Sequence, residues 1–147
     1  MSVLGSTQIS ALTADQFANL GTGGEGIAAL SPKQLQGLNK TNIGKFNLSY
    51  LTTEGIASLA PELISFFAPA QMAQLTVDQA AILTLAQVAE ITSSQIKMLI
   101  NDAIAAIQPK NIASLDPKTI SAMLATSSTS CEISALTSDQ SKFLTYE

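Results

Sequence analysis

Apolar and polar residues recur along this chain with a period of eight. In APAQMAQL TVDQAAIL TLAQVAEI TSSQIKML, residues 68–99, each block has a small or hydroxylated first residue, Gln in the fourth position and apolar residues in the fifth and eighth. Sixteen such units occupy 5–20, 23–46, 52–123 and 129–144, with interruptions at 21–22, 47–51 and 124–128. The fifth position is apolar in fifteen units and the eighth in all sixteen. The chain is therefore predicted to be one repeat domain, 1–147.

Proline indicates where a helix starts in each unit. All five prolines occupy the second position of their units: Pro32, Pro61, Pro69, Pro109 and Pro117. Proline is favoured as the first residue of a helix, because its missing N–H would have no partner there and its fixed φ suits the helix. The preceding residue is then the N-cap, and the first position of most units is Ser, Thr, Asn, Asp or Gly, which are good caps.

Gln in the fourth position is predicted to complete each helix start. Half of the units carry it, at Gln8, Gln16, Gln34, Gln71, Gln79, Gln87, Gln95 and Gln140. The fourth position is N3 of the helix, from which a Gln side chain can reach back to the backbone N–H of the cap in a capping box. A polar ladder along the stack and recognition of a ligand are the alternatives, and capping is the favoured interpretation.

An eight-residue period fits neither one continuous helix nor a stacked strand. At roughly 100° per residue, each added octad would rotate the apolar pair by about 80° around a continuous helix. Inward residues of a strand alternate by two, and proline in the second position would remove a ladder hydrogen bond. Helices of under two turns do not persist alone in water, so neighbouring units must cover their apolar residues. The pattern predicts an all-α fold, a superhelical α-solenoid with one very short helix per octad.

One set of apolar residues recurs outside the fifth and eighth positions. Phe66, Ile82 and Met98 occupy the seventh position of every second unit and lie sixteen residues apart. We predict that they form the core of a turn built from two units. The alternative is that every second unit presents an apolar residue on a shared side, as a contact stripe for a partner.

Composition narrows the range of functions. Charged residues make up 12% of the chain, the net charge is −4, and the sequence contains neither Arg nor His. Nucleic-acid binding is not expected, because phosphate neutralisation needs a basic patch. Cys131 has no His to activate it, and no pair of carboxylates or Ser/His set suits acid–base or triad chemistry. We therefore predict no catalytic or cofactor-binding residues and no enzymatic activity.

Two other patterns have structural interpretations. Acids in the third position could form a calcium stripe, but at N2 a negative charge favours the helix dipole, and the eight-residue spacing disperses them, so no metal site is predicted. The sequence GTGGEG at 21–26 lacks the Gly-Lys-Ser/Thr ending of a P-loop and is predicted to be a flexible joint. The longest uncharged run, 63–77, is under the ~20 residues that cross a bilayer, so no membrane insertion is expected.

Several segments resemble octad tracts of known families. LSPKQLQGL (30–38), LAPELISFFAPAQMAQLT (59–76) and IQPKNIASLDPKTISAML (107–124) resemble tracts of mesothelin and stereocilin-like proteins. They are also similar to the LTxxQIxAL arrays of very large bacterial surface and adhesion-type proteins. The resemblance covers nearly the whole chain and implies a superhelical repeat protein that acts in adhesion or as a spacer, without catalysis. It also implies an extracellular or cell-surface location; no signal peptide is visible, so the chain is cytoplasmic, mature or an excised segment.

The leading hypothesis is a non-enzymatic structural or adhesion protein that assembles with itself, end to end into a fibre or within a longer surface array. Units 5–12 and 137–144 look like internal units, whereas solenoids usually end in polar capping repeats. The low charge would also do little to resist association. The alternative is a discrete solenoid module whose groove binds a protein, peptide or glycan partner. Exposed aromatic or charged residues clustered on one face would favour it.

Overall fold

The computed structural model describes residues 4–20, 25–45, 47–125 and 136–142, and this part of the chain is helical with no β-strand. The predicted all-α class is confirmed. The α-helices are Ser6–Ser10, Ala14–Ala18, Glu25–Ala28, Pro32–Leu35, Thr53–Ala57, Pro69–Met72, Val77–Ala81, Leu85–Ala89, Ser93–Ile96, Asn101–Ala106, Pro109–Ile112, Pro117–Ala125 and Ser138–Ser141. The 3-10 helices are Ile43–Lys45, Leu48–Tyr50 and Pro61–Phe66. Cys131, residues 129–135 of the unit 129–136 and most of the predicted joint at 21–26 lie outside the described residues.

Unit 84–91 shows the geometry that the regular units share. Its cap, Thr84, has an extended backbone (φ −74°, ψ 160°), and the helix Leu85–Ala89 follows directly. The Val88 N–H donates to the Thr84 carbonyl at 3.0 Å, and the Ile91 N–H donates to the Val88 carbonyl at 3.1 Å. The first bond is α-helical and the second is of the tighter 3-10 type, which is common at helix ends. The next extended cap, Thr92, then starts the following helix.

The prolines lie where the helices begin. The structure has Pro32, Pro61, Pro69, Pro109 and Pro117 each as the first residue of a helix. Four of these helices are α-helical, and the one that Pro61 starts is a six-residue 3-10 helix. The proline ring therefore fixes φ at a position where no intrahelical hydrogen bond is lost.

The fifth and eighth residues of the units form one hydrophobic core. Ile56, Leu59, Val88, Ile91 and Ile104 are representative, and none of them is more than 3% exposed. Burying such a side chain contributes roughly 1.5–3 kcal/mol. Helices of four to six residues have little stability of their own, so this shared core is what holds them in the helical state.

Helices pack against helices three units away along the chain. Leu85–Ala89 contacts Pro61–Phe66 on one side and Pro109–Ile112 on the other. Asn101–Ala106 contacts Val77–Ala81 at the same separation. A unit is therefore covered by two units that are distant in sequence, one of them three units earlier and the other three units later.

The segment 47–51, which interrupts the octad pattern of the sequence, is built as a shortened unit. Asn47 accepts a hydrogen bond from the Ser49 N–H on its Oδ1 at 2.9 Å and caps the 3-10 helix Leu48–Tyr50. Leu48 and Leu51 are both buried, as the fifth and eighth residues of full octads are. The segment keeps the cap and the fifth to eighth positions, and it lacks the three residues that separate the cap from the fifth position in a full octad.

Candidate functional site

Side chains in the fourth position of the units are the main polar groups inside the core. Gln71, Gln79, Gln87, Gln95 and Gln140 are each no more than 7% exposed, and Gln87 and Gln140 are fully buried. Burial of a side-chain amide costs free energy unless its hydrogen bonds are made inside the protein. The partners of these amides therefore decide what the row of side chains does.

The amide oxygen of each predicted capping Gln accepts a hydrogen bond from the start of its own unit. The donor is the backbone N–H of the N-cap, three residues earlier, at 2.7–3.0 Å in all eight units. The acceptors are Gln8, Gln16, Gln34, Gln71, Gln79, Gln87, Gln95 and Gln140. These side chains thus occupy the capping position that the sequence indicated.

The amide nitrogen of the same side chain bonds a different part of the chain. Nε2 of Gln87, in unit 84–91, donates to the carbonyls of Ile56 and Leu59 at 2.9 Å each. These are the fifth and eighth residues of unit 52–59, which is four units earlier. One side chain therefore caps its own helix and also ties it to the end of a distant helix.

The separation between donor and acceptor is constant along the regular part of the chain. Gln79, Gln87 and Gln95 each donate to two carbonyls that lie 31 and 28 residues earlier. Gln140 donates to the carbonyls of Ile104 and Ile107, 36 and 33 residues earlier. Both values are five larger, which is the length of the segment 124–128 that lies between. We call this row of hydrogen bonds the position-four ladder.

The ladder follows from restarting a helix every eight residues. Each start leaves backbone N–H groups without intrahelical partners, and each end leaves carbonyls without them. Such groups must be paired when they are buried. A Gln at N3 has an acceptor and two donors at the end of a flexible side chain, so it can pair the N–H of its own start with the carbonyls of another end.

Three further fourth-position residues, which are outside the predicted set of capping Gln, also join the ladder. Nδ2 of Asn42 donates to the Ile9 carbonyl at 2.9 Å, and Nδ2 of Asn111 donates to the Leu83 carbonyl at 2.8 Å. The hydroxyl of Thr119 donates more weakly to a carbonyl, at 3.3 Å. The signal that could have found them is the octad frame itself, because all three are polar donors in the same position as Gln.

The first two Gln of the chain take part in capping alone. Gln8 and Gln16 are exposed, and within the described residues their Nε2 atoms have no hydrogen-bond partner. The third Gln, Gln34, is buried and donates to the Leu4 carbonyl at 2.8 Å. The ladder therefore has unpaired donors on the side where the described chain begins.

The seventh-position residues do not form the core of a two-unit turn. Phe66 is 42% exposed and Met98 is 46% exposed, whereas Ile82 is partly buried against the core. The core prediction is wrong for Phe66 and Met98, because the chain meets itself after about 28 residues and not after sixteen. Lys40 covers one face of the Phe66 ring, with Nζ 5.3 Å from the ring centre, in a cation–π contact.

Other candidate chemistry is sparse in the described part of the chain. No group of three His, Cys, Asp or Glu side chains there is arranged to hold a metal ion. The third-position acids whose side chains are described are all exposed: Asp15, Glu54, Glu62, Asp78, Asp102 and Asp139. Among the described helices, none combines the length and the apolar character that a bilayer span requires.

Comparisons with known proteins found no relative. A scan against protein-family models, a search of curated proteins and a search of solved structures each returned no match for this chain. The resemblance to mesothelin-like and bacterial surface arrays, the cell-surface location and the alternative of a binding module therefore stay predictions.

Proposed function

We propose that this chain is a non-enzymatic structural or adhesion repeat protein, an α-solenoid of octads that assembles end to end with further copies of itself. The observation that carries the proposal is the position-four ladder. In it, buried polar side chains such as Gln87 and Gln95 bind the backbone of the protein itself at both ends of the amide. The buried side-chain hydrogen bonds of the described chain thus join its units to one another, which is what a scaffold requires.

The solenoid arrangement is supported by two constant separations. Helices contact helices three units away, and ladder side chains donate to carbonyls 28 and 31 residues earlier, in the fourth unit back. A chain that meets itself repeatedly at one separation coils around a single axis, with between three and four octads in each turn. In such a stack, stability accumulates from contacts between neighbouring turns.

End-to-end assembly is supported by unpaired ladder groups. Gln8 and Gln16 offer exposed Nε2 donors at one side of the stack. In the described chain, the Leu115 carbonyl accepts no hydrogen bond and the Ile112 carbonyl accepts only the Leu115 N–H, at 3.1 Å. The spacing of the position-four ladder assigns these two carbonyls to a donor in the fourth position of the octad that would follow unit 137–144. In a longer array that octad is a further unit of the array, and in an end-to-end pair unit 5–12 of a second copy takes its place and Gln8 supplies the donor.

Analytical ultracentrifugation tests this proposal. We expect the wild-type chain to associate with rising concentration, and the double variant Gln8→Ala/Gln16→Ala to associate at least about tenfold more weakly. The reason is that each lost hydrogen bond removes roughly 0.5–1.5 kcal/mol from the association. Gln36→Ala is the control, since Gln36 is exposed and lies outside the fourth position. A strict monomer at the highest soluble concentration would contradict the proposal, as would equal weakening in both variants.

A further inference from the structure

The position-four ladder is interrupted over three consecutive units. The shortened unit 47–51 lacks the fourth position of an octad, and the next two units have Gly55 and Leu63 there, which carry no side-chain hydrogen-bond donor. Ala103 also lacks a donor, but the units on both sides of it have one. Since a turn contains between three and four octads, the interruption at 47–67 removes the ladder donors from nearly one whole turn.

The carbonyls that these donors would reach are unpaired as well. The units four earlier than those of 47–67 lie within 13–38. Within the described part of the chain, the carbonyls of their eighth residues accept no hydrogen bond: Leu20, Leu30 and Leu38. One turn later, the corresponding carbonyls of the units in 47–67 each accept a hydrogen bond from a Gln side chain. We call the boundary between 13–38 and 47–67 the seam.

Fewer hydrogen bonds hold the seam than hold the next boundary along the stack. The Gln side chains of the three units in 76–99 form six hydrogen bonds with the units in 47–67, two from each side chain. At the seam, the described side chains of 47–67 form none with the described residues of 13–38. Among the described residues, one ladder bond joins the chain before residue 47 to the chain after it, from Nε2 of Gln71 to the Ile43 carbonyl at 3.0 Å.

The units before the seam are joined to one another. Nδ2 of Asn42 donates to the Ile9 carbonyl at 2.9 Å, and Nδ2 of Asn39 donates to the Ser10 carbonyl at 3.0 Å. Both bonds connect the last unit before the seam to the first unit of the chain. Residues 5–45 are therefore a block that is bonded more extensively within itself than to the rest of the stack.

We propose that the stack opens at the seam, so that residues 5–45 detach as one block while residues 47–123 stay folded. Cooperative openings of this kind separate a protein where the least stabilisation is lost. Apolar packing does cross the seam, because Cδ1 of Leu35 lies 3.2 Å from the position of a Cβ on Gly55. Opening exposes this apolar surface and breaks the ladder bond of Gln71, whereas opening one turn later breaks six ladder bonds.

The opening goes beyond the structural role proposed above and does not depend on it, because it takes place within a single copy. It gives the scaffold one defined place at which the stack can open or lengthen while the remaining turns keep their hydrogen bonds. Failure to assemble would therefore leave this proposal standing, and absence of the opening would leave assembly standing.

Native-state hydrogen exchange, measured by NMR at low denaturant concentrations, tests the proposal. The backbone N–H groups of Leu35, Ile43, Val88 and Ile96 are all buried and each donates to a carbonyl four residues earlier at 3.0–3.1 Å. We expect the first two to exchange at least about fiftyfold faster than the last two, because one ladder bond breaks at the seam and six break one turn later. The amides of 5–45 should share one opening free energy. Equal exchange in the two pairs would overturn the proposal, as would exchange that slows steadily from the start of the block, since that describes fraying of an end.

Two substitutions of Gly55 test whether the missing donor is the cause. Gly55 lies within the helix Thr53–Ala57, so its backbone accepts other residues. Gly55→Gln supplies an amide to face the carbonyls of Ile27 and Leu30, whereas Gly55→Ala restricts the unfolded chain in the same way and adds no donor. Relative to Gly55→Ala, Gly55→Gln should slow exchange throughout 5–45 by about tenfold. Equal exchange in the two variants would show that the ladder does not determine where the stack opens.

Thr84→Ala provides a separate test that does not alter the seam. Thr84 Oγ1 caps its helix by accepting the Gln87 N–H at 3.2 Å, and opening at the seam leaves this bond intact. Loss of the cap should therefore speed exchange of the Val88 amide about fivefold and leave the amides of Leu35 and Ile43 unchanged. If all three amides exchange faster by the same factor, residues 5–45 open only when the whole chain unfolds, and the proposal is wrong.

Discussion

Replacing Gln87 by Ala is expected to lower the free energy of unfolding by about 3–5 kcal/mol, because it removes three hydrogen bonds and opens a cavity. The Thr84 N–H and the Leu59 carbonyl lose their partner, and the Ile56 carbonyl keeps only the Leu59 N–H, at 3.2 Å. Urea unfolding followed by circular dichroism measures the change. Gln36→Ala is the control, with an expected change within about 0.5 kcal/mol for an exposed side chain. Equal effects in the two variants would show that the ladder does not contribute.

A second substitution at the same site separates hydrogen bonding from side-chain volume. Gln87→Glu keeps the shape and the acceptor for Thr84, and it replaces two donors by an oxygen that faces two carbonyls. Burial and these carbonyls should raise the pKa of the introduced carboxyl above its usual value. Above that raised pKa the charged form fully destabilises the fold, and as pH falls through it, protonation should recover part of the loss. A pH-independent difference from wild type would contradict this explanation.

Gly37→Ala is expected to cost about 1–3 kcal/mol, because a methyl group there overlaps the backbone of a distant unit. A Cβ built on Gly37 collides with the Ser6 carbonyl oxygen and lies 2.9 Å from Cβ of Ile9. Gly37 is buried, and helix Pro32–Leu35 just before it packs on helix Ser6–Ser10. The first helix must therefore move away or the turn must deform.

Gly44→Ala is the matched control for this prediction. Gly44 lies in the 3-10 helix Ile43–Lys45, and nothing lies within 4 Å of a Cβ built there. The added methyl should therefore be neutral, or stabilising by up to about 1 kcal/mol because it restricts the unfolded chain. Thermal or urea unfolding of both variants gives the comparison. If Gly37→Ala is tolerated as well as Gly44→Ala, the close approach of the two units is absent in solution.

Local features of this fold could be predicted from the sequence because they depend on a few adjacent residues. Proline fixes φ and lacks a donor, so Pro69 and Pro109 can only be accommodated easily at a helix start. A cap and a Gln three residues later, such as Thr84 and Gln87, form their hydrogen bond within one helical turn. The apolar fifth and eighth residues then face the core whatever the path of the chain.

Features that depend on how the chain closes on itself could not be predicted in the same way. The octad pattern gives the length of a unit but not the angle between successive units, so the 28-residue recurrence of the ladder was not accessible. For that reason the sequence predicts Phe66 and Met98 in a core, whereas both side chains are exposed. Capping and a polar ladder are alternatives in the sequence, whereas in the structure one amide does both, because its oxygen and nitrogen bond different segments.

The side-chain oxygen of Asn111, which is buried and has no hydrogen-bond partner in the described chain, could not be predicted for the same reason. Whether an Asn in the fourth position reaches its cap depends on where the earlier carbonyls lie, and the packing of distant units decides that. Asn42 accepts its cap N–H at 2.9 Å while it donates to Ile9, and Asn111 turns toward Leu83 and does not. Sequence alone presents the two residues as equivalent.

Exchange of the side-chain amide protons of Gln, measured by NMR residue by residue, tests whether Gln79, Gln87 and Gln95 hold distant units together through buried Nε2 donors. Their Nε2 protons should therefore exchange with solvent far more slowly than those of the exposed Gln36, and should give NOEs to residues about 28 positions earlier. Equally fast exchange in all four side chains, with no such NOEs, would show that the buried hydrogen bonds between distant units are absent in solution.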